Sequence, residues 1–285
     1  MTMTHTLEKQ GLLSLAMQQG FASFASADCK AIGAELHETY TQADPFPHIV
    51  IPSFLTDDAV RRVATEFPPH ETGRYSDPQS RLKTGYHLEK IGSPYIHSVI
   101  NALNSAAFLE FLRALTGIKG LIPDPYQVGG GLHETRRGGH LSIHADFNMH
   151  PSLKLKRRLN LILFLNDDWD ETYGGHLELW SKDMQQCCKR VLPELGKAII
   201  FNTDQDSFHG HPDPLTCPES RTRRSLALYY YCVFASDKIA HVSRSTDFRV
   251  RPGSTDRLDH KTRMRELARD MCPPILYRRL VKTEE

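Results

Sequence analysis

A histidine and an aspartate, His144 and Asp146, lie at the end of a short apolar stretch of the sequence. On a β-strand, residues i and i+2 point to the same face, so this pair would present an imidazole and a carboxylate side by side. One further ligand from a distant strand would complete a 2-His-1-carboxylate face, which holds Fe(II) and leaves three positions open. His209, which follows the apolar run 198–201, is the expected third ligand.

The His-x-Asp tripeptide carries little information by itself. With 15 histidines in 285 residues, about one such tripeptide arises by chance, and a second copy occurs at His211–Asp213. The second copy has Pro212 at its centre, and proline cannot donate a hydrogen bond within a β-sheet. The alternating strand pattern before the first copy favours His144 and Asp146 as the functional pair.

A second polar cluster begins the long apolar strand pattern at 223–231. Alternation along this strand places Arg223 and Ser225 on one face and Arg224 on the other. An arginine that points into a β-sandwich is costly unless it meets an anion, because its charge is not lost by deprotonation. A guanidinium beside a hydroxyl is suited to bind a carboxylate. The alternative is that both arginines point to solvent at a strand edge.

The composition indicates a folded protein. Of the 285 residues, 40% are hydrophobic and 24% are charged, which predicts a sizeable core and excludes global disorder. The formal net charge is +1, so nothing favours electrostatic binding to nucleic acid or to an anionic membrane. No apolar run is long enough to cross a bilayer, and the N-terminus lacks the layout of a signal peptide. The six cysteines contain no CxxC pattern, so a reduced cytoplasmic protein is expected.

The middle of the chain predicts many short strands. Apolar runs alternate with turn signals at 141–143, 159–165, 176–180, 198–201 and 225–234. This spacing predicts a mainly β fold with flanking helices, in which the core is a double-stranded β-helix of the jelly-roll or cupin-like kind. We expect one domain over residues 1–285, with an N-terminal helical segment at 1–120, a jelly-roll core at about 121–235 and a C-terminal helical extension at 236–285.

Elements on either side of this core can also be predicted. The expected flanking elements are a strand at 49–51 and helices at 57–67, 93–117, 257–271 and 275–281. Thr56 and Ser93 are the expected N-caps of the first two helices, and Gly117 ends the second. Residues 70–92 show no periodicity, which is typical of a loop, and we expect this loop to act as a lid over the site.

The order of these residues resembles that of a known family. A His-x-Asp pair, then a single histidine, then Arg-x-Ser at the start of an apolar strand is similar to the 2-oxoglutarate and Fe(II)-dependent dioxygenases. Within that family the chain most resembles the prolyl 4-hydroxylase-like branch, to which the segments 158–166 and 173–180 are also similar. The resemblance covers about residues 45–250.

The resemblance implies the roles of the site residues. It implies that His144, Asp146 and His209 bind Fe(II). It also implies that Arg223 and Ser225 bind the distal carboxylate of 2-oxoglutarate. The implied reaction uses O2 to hydroxylate an unactivated C–H group and releases succinate and CO2, with ascorbate as an expected stimulant.

One position departs from the family pattern. Several prolyl hydroxylases use a tyrosine to bind the distal carboxylate, and here the position is Phe164, whose ring cannot donate a hydrogen bond. Asn160 and Gln127 are the candidates to replace it. The charge run at 154–158 is interpreted as a solvated strand edge. The other histidines of the region are interpreted as strand-end or supporting residues, at His133, His140, His150, His176 and His211.

The sequence leaves the substrate open. A small metabolite, a natural-product intermediate or a glycan is favoured over a protein, because the resemblance concerns a scaffold and a scaffold does not determine a substrate. Hydroxylation of a prolyl residue in a protein is the alternative. A non-catalytic, cupin-like metal- or ligand-binding protein is a second alternative, although it has no use for Arg223 and Ser225 aimed inward. Nucleic-acid demethylation fits the chemistry but not the neutral charge, and neither nucleic acid nor membrane is an expected partner.

Overall fold

Two β-sheets and a layer of α-helices make up the part of the chain that the computed structural model describes, residues 11–69, 76–77, 79–86, 88–233, 244–259 and 264. The helices are α1 (Ser26–Glu35), α2 (His37–Thr41), α3 (Asp57–Thr65), α4 (Pro94–Leu103) and α5 (Ala106–Thr116). The strands are β1 (Ala16–Gln18), β2 (Phe21–Ser23), β3 (His48–Ile51), β4 (Ser76–Asp77), β5 (Ser80–Arg81), β6 (Lys83–Tyr86), β7 (Ile122–Pro123), β8 (Gly131–Thr135), β9 (Leu141–Ala145), β10 (Lys156–Phe164), β11 (Leu177–Trp180), β12 (Cys187–Val191), β13 (Ala198–Asn202), β14 (His209–His211), β15 (Arg223–Cys232) and β16 (Asp247–Phe248). Within these ranges, no helix has both the length and the apolar character needed to span a membrane.

The strands pair antiparallel in two main sheets. The larger sheet has the order β3-β13-β10-β15-β8-β6, and β7 pairs with the far end of β15. The second sheet has the order β12-β11-β14-β9-β16. The hairpins β1-β2 and β4-β5 lie apart from both. This architecture confirms the mainly β fold with a double-stranded β-helix core that the sequence predicts.

The central strand β10 shows how the larger sheet is buried on both faces. It lies between β13 and β15. Leu159, Leu161 and Leu163 pack into the main hydrophobic core under the helices, whereas Ile162 and Phe164 face the second sheet. Because both faces are covered, the part of the strand from Leu159 to Phe164 is apolar except at Asn160, as predicted for a central strand.

The long helix expected over 93–117 is two helices. The Ser93 hydroxyl caps α4 by accepting a backbone amide hydrogen bond at 3.0 Å, as predicted, and Gly117 ends α5 with a left-handed φ of 72°. The helix is interrupted between them because the hydroxyl of Ser105 accepts another amide hydrogen bond, at 3.4 Å, and so caps the start of a second helix. Thr56 lies at the N-cap position of α3, but among the described residues its side chain accepts no capping hydrogen bond.

The sequence predicts a loop over residues 70–92, but the structure has strands in part of this segment. The strands β4, β5 and β6 and a 3-10 turn at Leu88–Lys90 lie in this segment, and β6 extends the larger sheet by pairing with β8. The lid expected here stays a prediction, as do the two C-terminal helices. The parts of these expected elements that lie outside the described residues are 70–75, 78, 87, 260–263, 265–271 and 275–281.

Candidate active site

Three side chains of the second sheet converge between the two sheets. His144 lies near the end of β9, Asp146 directly follows β9, and His209 begins β14. His209 is paired directly opposite His144, and the two ring centroids are 4.5 Å apart. The Nε2 atoms of both histidines lie 3.5 Å from the Asp146 carboxylate, and the three ligand atoms lie within 4.8 Å of one another. The structure therefore brings together the three metal ligands expected from the sequence.

Backbone hydrogen bonds orient both imidazoles. Nδ1 of His144 donates to the carbonyl of Ser142 at 2.8 Å, and Nδ1 of His209 donates to the carbonyl of Ser207 at 2.9 Å. Nδ1 therefore carries a proton in both rings, and Nε2, which lies on the side of Asp146, is the nitrogen that can bind a metal. Burial lowers the pKa of His209 to about 4, although the nearby carboxylate opposes the shift, so this ring is neutral at pH 7.

Asp146 is held from the opposite sheet by Arg157 and Asn160 of β10. The Asn160 amide donates to Oδ2 of Asp146 at 2.8 Å, and Nη2 of Arg157 lies 3.1 Å from the same oxygen. Burial opposes ionisation of Asp146, but Arg157, and after it the two histidines, hold its pKa well below the usual range. Because Oδ2 is occupied by two donors, Oδ1 is the oxygen left for a metal.

Arg157 is itself a buried cation. Its side chain is 1% exposed, and its guanidinium lies 3.5 Å from the ring centroid of Tyr229 and 4.5 Å from that of Phe147. Planar stacking of this kind stabilises a guanidinium away from water. The interpretation of 154–158 as a solvated strand edge is therefore wrong at this position, because the ion pair with Asp146 offsets the cost of burial.

Arg223 lies in the same cavity and has no anionic partner. Its side chain is 5% exposed, its Nε donates to the carbonyl of Gly175 at 2.7 Å, and its guanidinium lies 5.1 Å from the ring centroid of Phe164. No carboxylate of the described residues pairs with it. Burial lowers the pKa of Arg223 to about 9, so the group is positively charged at pH 7. A buried cation without a counter-charge is strongly unfavourable, which indicates a site for an anionic ligand.

The neighbours of Arg223 on β15 follow the alternation expected from the sequence. Ser225 faces the cavity with it. Arg224 faces the helices, where its Nε lies 3.2 Å from the buried carboxylate of Glu134 and its guanidinium lies over Phe67. The inward direction of one arginine and the outward direction of the next are therefore set by the pleat of the strand.

A cavity of about 440 Å³ joins the triad to Arg223. This volume is typical of sites that enclose a small molecule. Two imidazoles and one carboxylate are a donor set that suits Fe(II). The unpaired guanidinium and the Ser225 hydroxyl suit the distal carboxylate of a 2-oxo diacid. The residues present therefore fit both groups.

Asn160, a candidate for the role of the missing tyrosine, does not lie beside Arg223. It pairs with Tyr229, which lies six residues after Arg223 on β15. At about 3.4 Å per residue, the backbones of Tyr229 and Arg223 are about 20 Å apart. Its amide donates to Asp146, and its Oδ1 accepts hydrogen bonds from Arg157 at 2.7 and 3.1 Å. Asn160 therefore positions the carboxylate of the triad instead.

Gln127, the other candidate, also lies away from Arg223. Its Oε1 is 3.2 Å from the position that a β-carbon on Gly131 would occupy. Gly131 pairs with Ala227, four residues along β15 from Arg223, or about 13 Å. The amide of Gln127 lines the cavity without a hydrogen-bond partner among the described residues, so it can contact another part of a ligand.

Two of the five histidines interpreted as supporting residues line the cavity, His133 and His211. His150 is fully buried instead, and its Nε2 donates to Asp124 at 3.1 Å. The sequence does not point to the cavity-lining Lys83, because this residue belongs to no spacing pattern that indicates a ligand.

The side chain of Arg223 packs against Gly175 so closely that this position requires a residue without a β-carbon. The φ of Gly175 is +74°, and a β-carbon there would lie 2.7 Å from Cδ2 of Leu215 and 2.9 Å from Cδ of Arg223. We expect Gly175→Ala to displace the guanidinium and to weaken 2-oxoglutarate binding by up to about 100-fold. Isothermal titration under anaerobic conditions, with Mn(II) in place of Fe(II), measures this affinity.

Gly174→Ala is the matched control. Gly174 also has a positive φ, +71°, but a β-carbon there would meet nothing within 4 Å. Both substitutions should lower the free energy of unfolding by about 1–3 kcal/mol through backbone strain. Only Gly175→Ala should lower the affinity for 2-oxoglutarate, and equal losses of affinity in the two variants would contradict the positioning role.

Comparison with known proteins finds one matching family. Residues 130–231 match the family model of the 2OG-Fe(II) oxygenase superfamily. This match covers about a third of the chain. It agrees with the resemblance to the 2-oxoglutarate-dependent oxygenases that is seen in the sequence. The family implies Fe(II) and 2-oxoglutarate as cofactor and cosubstrate. The match favours the enzyme over the non-catalytic, cupin-like alternative.

One curated relative is the mouse prolyl 3-hydroxylase OGFOD1. It is 26% identical to this chain over 197 residues, which are 66% of this chain and 33% of the relative. The chain thus matches about a third of the length of that relative. This relative is named as a prolyl hydroxylase, which agrees with the branch that the sequence resembles.

Solved structures show the same fold. A prolyl-4-hydroxylase from Pseudomonas putida has a TM-score of 0.52 and 17% identity, and the match covers 71% of this chain and 100% of that one. A prolyl hydroxylase from Trichoplax adhaerens, in complex with a hypoxia inducible factor peptide fragment, has a TM-score of 0.50 and 13% identity, with coverage of 72% and 91%. At these identities the likeness concerns the double-stranded β-helix fold.

These comparisons overturn one expectation. From the sequence, a small molecule or a glycan is expected as the partner rather than a protein. The relatives, however, are named prolyl hydroxylases, and one of them is bound to a peptide. The preference for a small-molecule or glycan partner is therefore wrong. That preference assumed that the family resemblance concerns the scaffold alone. The prolyl hydroxylase-like branch, which the sequence most resembles, is instead named for a prolyl substrate.

Proposed function

We propose that this protein hydroxylates a prolyl residue of a polypeptide, using Fe(II), 2-oxoglutarate and O2. The observation that carries the proposal is a cavity that holds a His-Asp-His triad and a buried, unpaired guanidinium. The prolyl substrate is supported by the likeness to a prolyl 3-hydroxylase over 66% of this chain. The earlier alternative of a peptidyl-prolyl substrate thereby becomes the main hypothesis.

In this proposal each part of the site has a defined role. His144, Asp146 and His209 hold Fe(II), while Arg223 and Ser225 hold the distal carboxylate of 2-oxoglutarate. When bound, Fe(II) and 2-oxoglutarate supply the oxygen activation for C–H hydroxylation, with succinate and CO2 as coproducts. The protein contributes orientation: three ligands on one face leave adjacent positions free, and hydrogen bonds fix each ligand in place.

The substrate side of the cavity is lined by aromatic rings. Phe147, Tyr229 and Phe248 line it, and the Phe248 ring centroid lies 5.4 Å from that of His144. An apolar, neutral ring such as that of proline packs favourably against such surfaces. The rings also exclude water from the triad when a substrate is seated, which protects a reactive site from side reactions.

The test is peptide-dependent succinate release. The full-length protein is incubated with Fe(II), 2-oxoglutarate, ascorbate and proline-containing peptides, each paired with the same peptide in which alanine replaces proline. We expect succinate release and a mass gain of one oxygen atom only with the proline peptides, and we expect ascorbate to stimulate turnover. If proline and alanine peptides release succinate equally, or if no peptide gains oxygen, the proposal of a prolyl substrate fails.

A further inference from the structure

A third cation, Lys83, faces the cavity from the edge strand β6. Lys83 pairs with Thr135 of β8, and Thr135 in turn pairs with Arg223 of β15. Residues directly opposite one another on neighbouring strands point to the same face of the sheet. Lys83 and Arg223 therefore lie on one line across the sheet, two strand spacings or about 10 Å apart at the backbone. Both side chains are long enough to meet above Thr135.

Lys83 has no partner in the described part of the chain. It is half-buried, forms no ion pair or hydrogen bond there, and the nearby carboxylate of Asp146 is already bound by Arg157. Burial lowers the pKa of Lys83 to about 8; Arg223 and Arg157 act in the same direction, and Asp146 opposes them. Two cations that face each other without an anion repel, so this end of the cavity is built to receive a negative charge.

His211 completes the same end of the cavity. It lies on β14 two residues after His209 and lines the same cavity, and its side chain is 3% exposed. Neither ring nitrogen has a hydrogen-bond partner in the described part of the chain. A buried polar group that is left unpaired costs about 1–3 kcal/mol, so a ligand acceptor is the expected partner.

We propose that Lys83 and His211, together with Arg223 and Ser225, bind the distal carboxylate of 2-oxoglutarate. This inference rests on the use of 2-oxoglutarate in the proposed function. A carboxylate has about four acceptor sites, which matches four donors. Lys83 and His211 take over the hydrogen bonds that a tyrosine would have made at Phe164, whose ring instead packs under the guanidinium.

The test compares two 2-oxo acids that differ only at the distal end. 2-Oxoglutarate carries a carboxylate there, and 2-oxopentanoate carries a methyl group. Both are titrated anaerobically into the full-length protein loaded with Mn(II), so that binding is measured without turnover. Wild type should prefer 2-oxoglutarate, and Lys83→Met should reduce this preference by about 10- to 100-fold, the effect of one charge-assisted hydrogen bond.

Three further variants sharpen the result. Lys83→Arg keeps the charge and should keep most of the preference. Lys119→Met removes an exposed lysine outside the cavity and should change nothing. His211→Leu should reduce the preference by about 3- to 10-fold, the effect of one neutral hydrogen bond. Its affinity for Mn(II) and for 2-oxopentanoate should stay unchanged, which separates this role from any effect on the neighbouring His209.

A pH titration gives an independent readout. Binding a carboxylate requires the protonated ammonium, so the wild-type affinity for 2-oxoglutarate should fall as the pH rises above about 8, whereas that of Lys83→Arg should not. The charged and titratable groups that face Lys83 are Arg223, Arg157, Asp146, His133 and His211. Burial, then the neighbouring cations, hold the pKa values of His133 and His211 well below the usual range, so neither ring titrates between pH 7 and 9.

The outcomes separate this inference from the proposed function. If wild type does not bind 2-oxoglutarate at all, the proposed function fails. If wild type binds it and Lys83→Met keeps the full preference, this inference alone is overturned. Equal loss of affinity for both 2-oxo acids also overturns it, because the effect would then be general. An unchanged preference with a raised KM for the peptide would overturn it by placing Lys83 at the substrate.

Discussion

His209→Ala should abolish metal binding and, with it, peptide-dependent turnover. His209 supplies one of three ligand atoms that lie within 4.8 Å of one another. Residues that only support metal ligands contribute about 10- to 100-fold in affinity, so loss of a ligand itself should cost at least about 100-fold. Titration of Mn(II) into the protein, followed by electron paramagnetic resonance, measures the loss directly.

His37→Ala is the matched control for this experiment. His37 is an exposed histidine on α2, and its Nδ1 lies 2.9 Å from the carbonyl of Leu115. This variant should bind Mn(II) as wild type does. Circular dichroism should show that His209→Ala keeps the folded β-sheet signal, so that the loss is local. Wild-type Mn(II) affinity in folded His209→Ala would show that the triad is not the metal site.

Arg223→Gln should lose most of the affinity for 2-oxoglutarate and keep the affinity for the metal. Truncating one partner of a buried charge pair costs about 2–5 kcal/mol, which corresponds to about 30-fold or more in affinity. The side chain is 5% exposed and has no carboxylate partner in the described ranges, so its charge is available to the cosubstrate. Titration of 2-oxoglutarate into the Mn(II)-loaded protein measures the effect.

Arg224→Gln provides the comparison within the same strand. It removes the same charge, but the side chain faces the helices and contacts Glu134. We expect a lower free energy of unfolding, because a buried carboxylate loses a partner, and an unchanged affinity for 2-oxoglutarate. If both variants lost cosubstrate affinity to the same extent, a general effect of charge or stability would explain the result better than a specific site.

Much of the site could be predicted because it depends on local alternation. His144 and Asp146 are two residues apart, and so are Arg223 and Ser225, so the strand period alone puts each pair on one face. The apolar runs predicted the central strands for the same reason. Short strands such as β14, which carries His209, have too few residues to show a period, and the histidine had to be found from the order of the motif.

The contributions of Lys83 and Arg157 could not be predicted, because they depend on the register between distant strands. Lys83 lies in a polar segment without periodicity, and only the pairing of β6 with β8 places it in line with Arg223. Arg157 belongs to a run of basic residues that is typical of a surface, and only the folded structure shows its partner, Asp146. Asn160 was a candidate by residue type alone, and the register places it elsewhere.

The bond between Asp146 and the Arg157–Asn160 pair crosses from one sheet to the other. The hydrogen bond from Arg223 to the carbonyl of Gly175 also crosses, and in both cases the larger sheet supplies the donor. Hydrogen bonds therefore connect the two sheets at each end of the cavity. The width of the cavity depends on how closely the two sheets approach each other. The affinities of the protein for Fe(II) and for 2-oxoglutarate should consequently change when residues in the core, far from either ligand, are substituted. Measured affinities would then report how closely the two sheets pack.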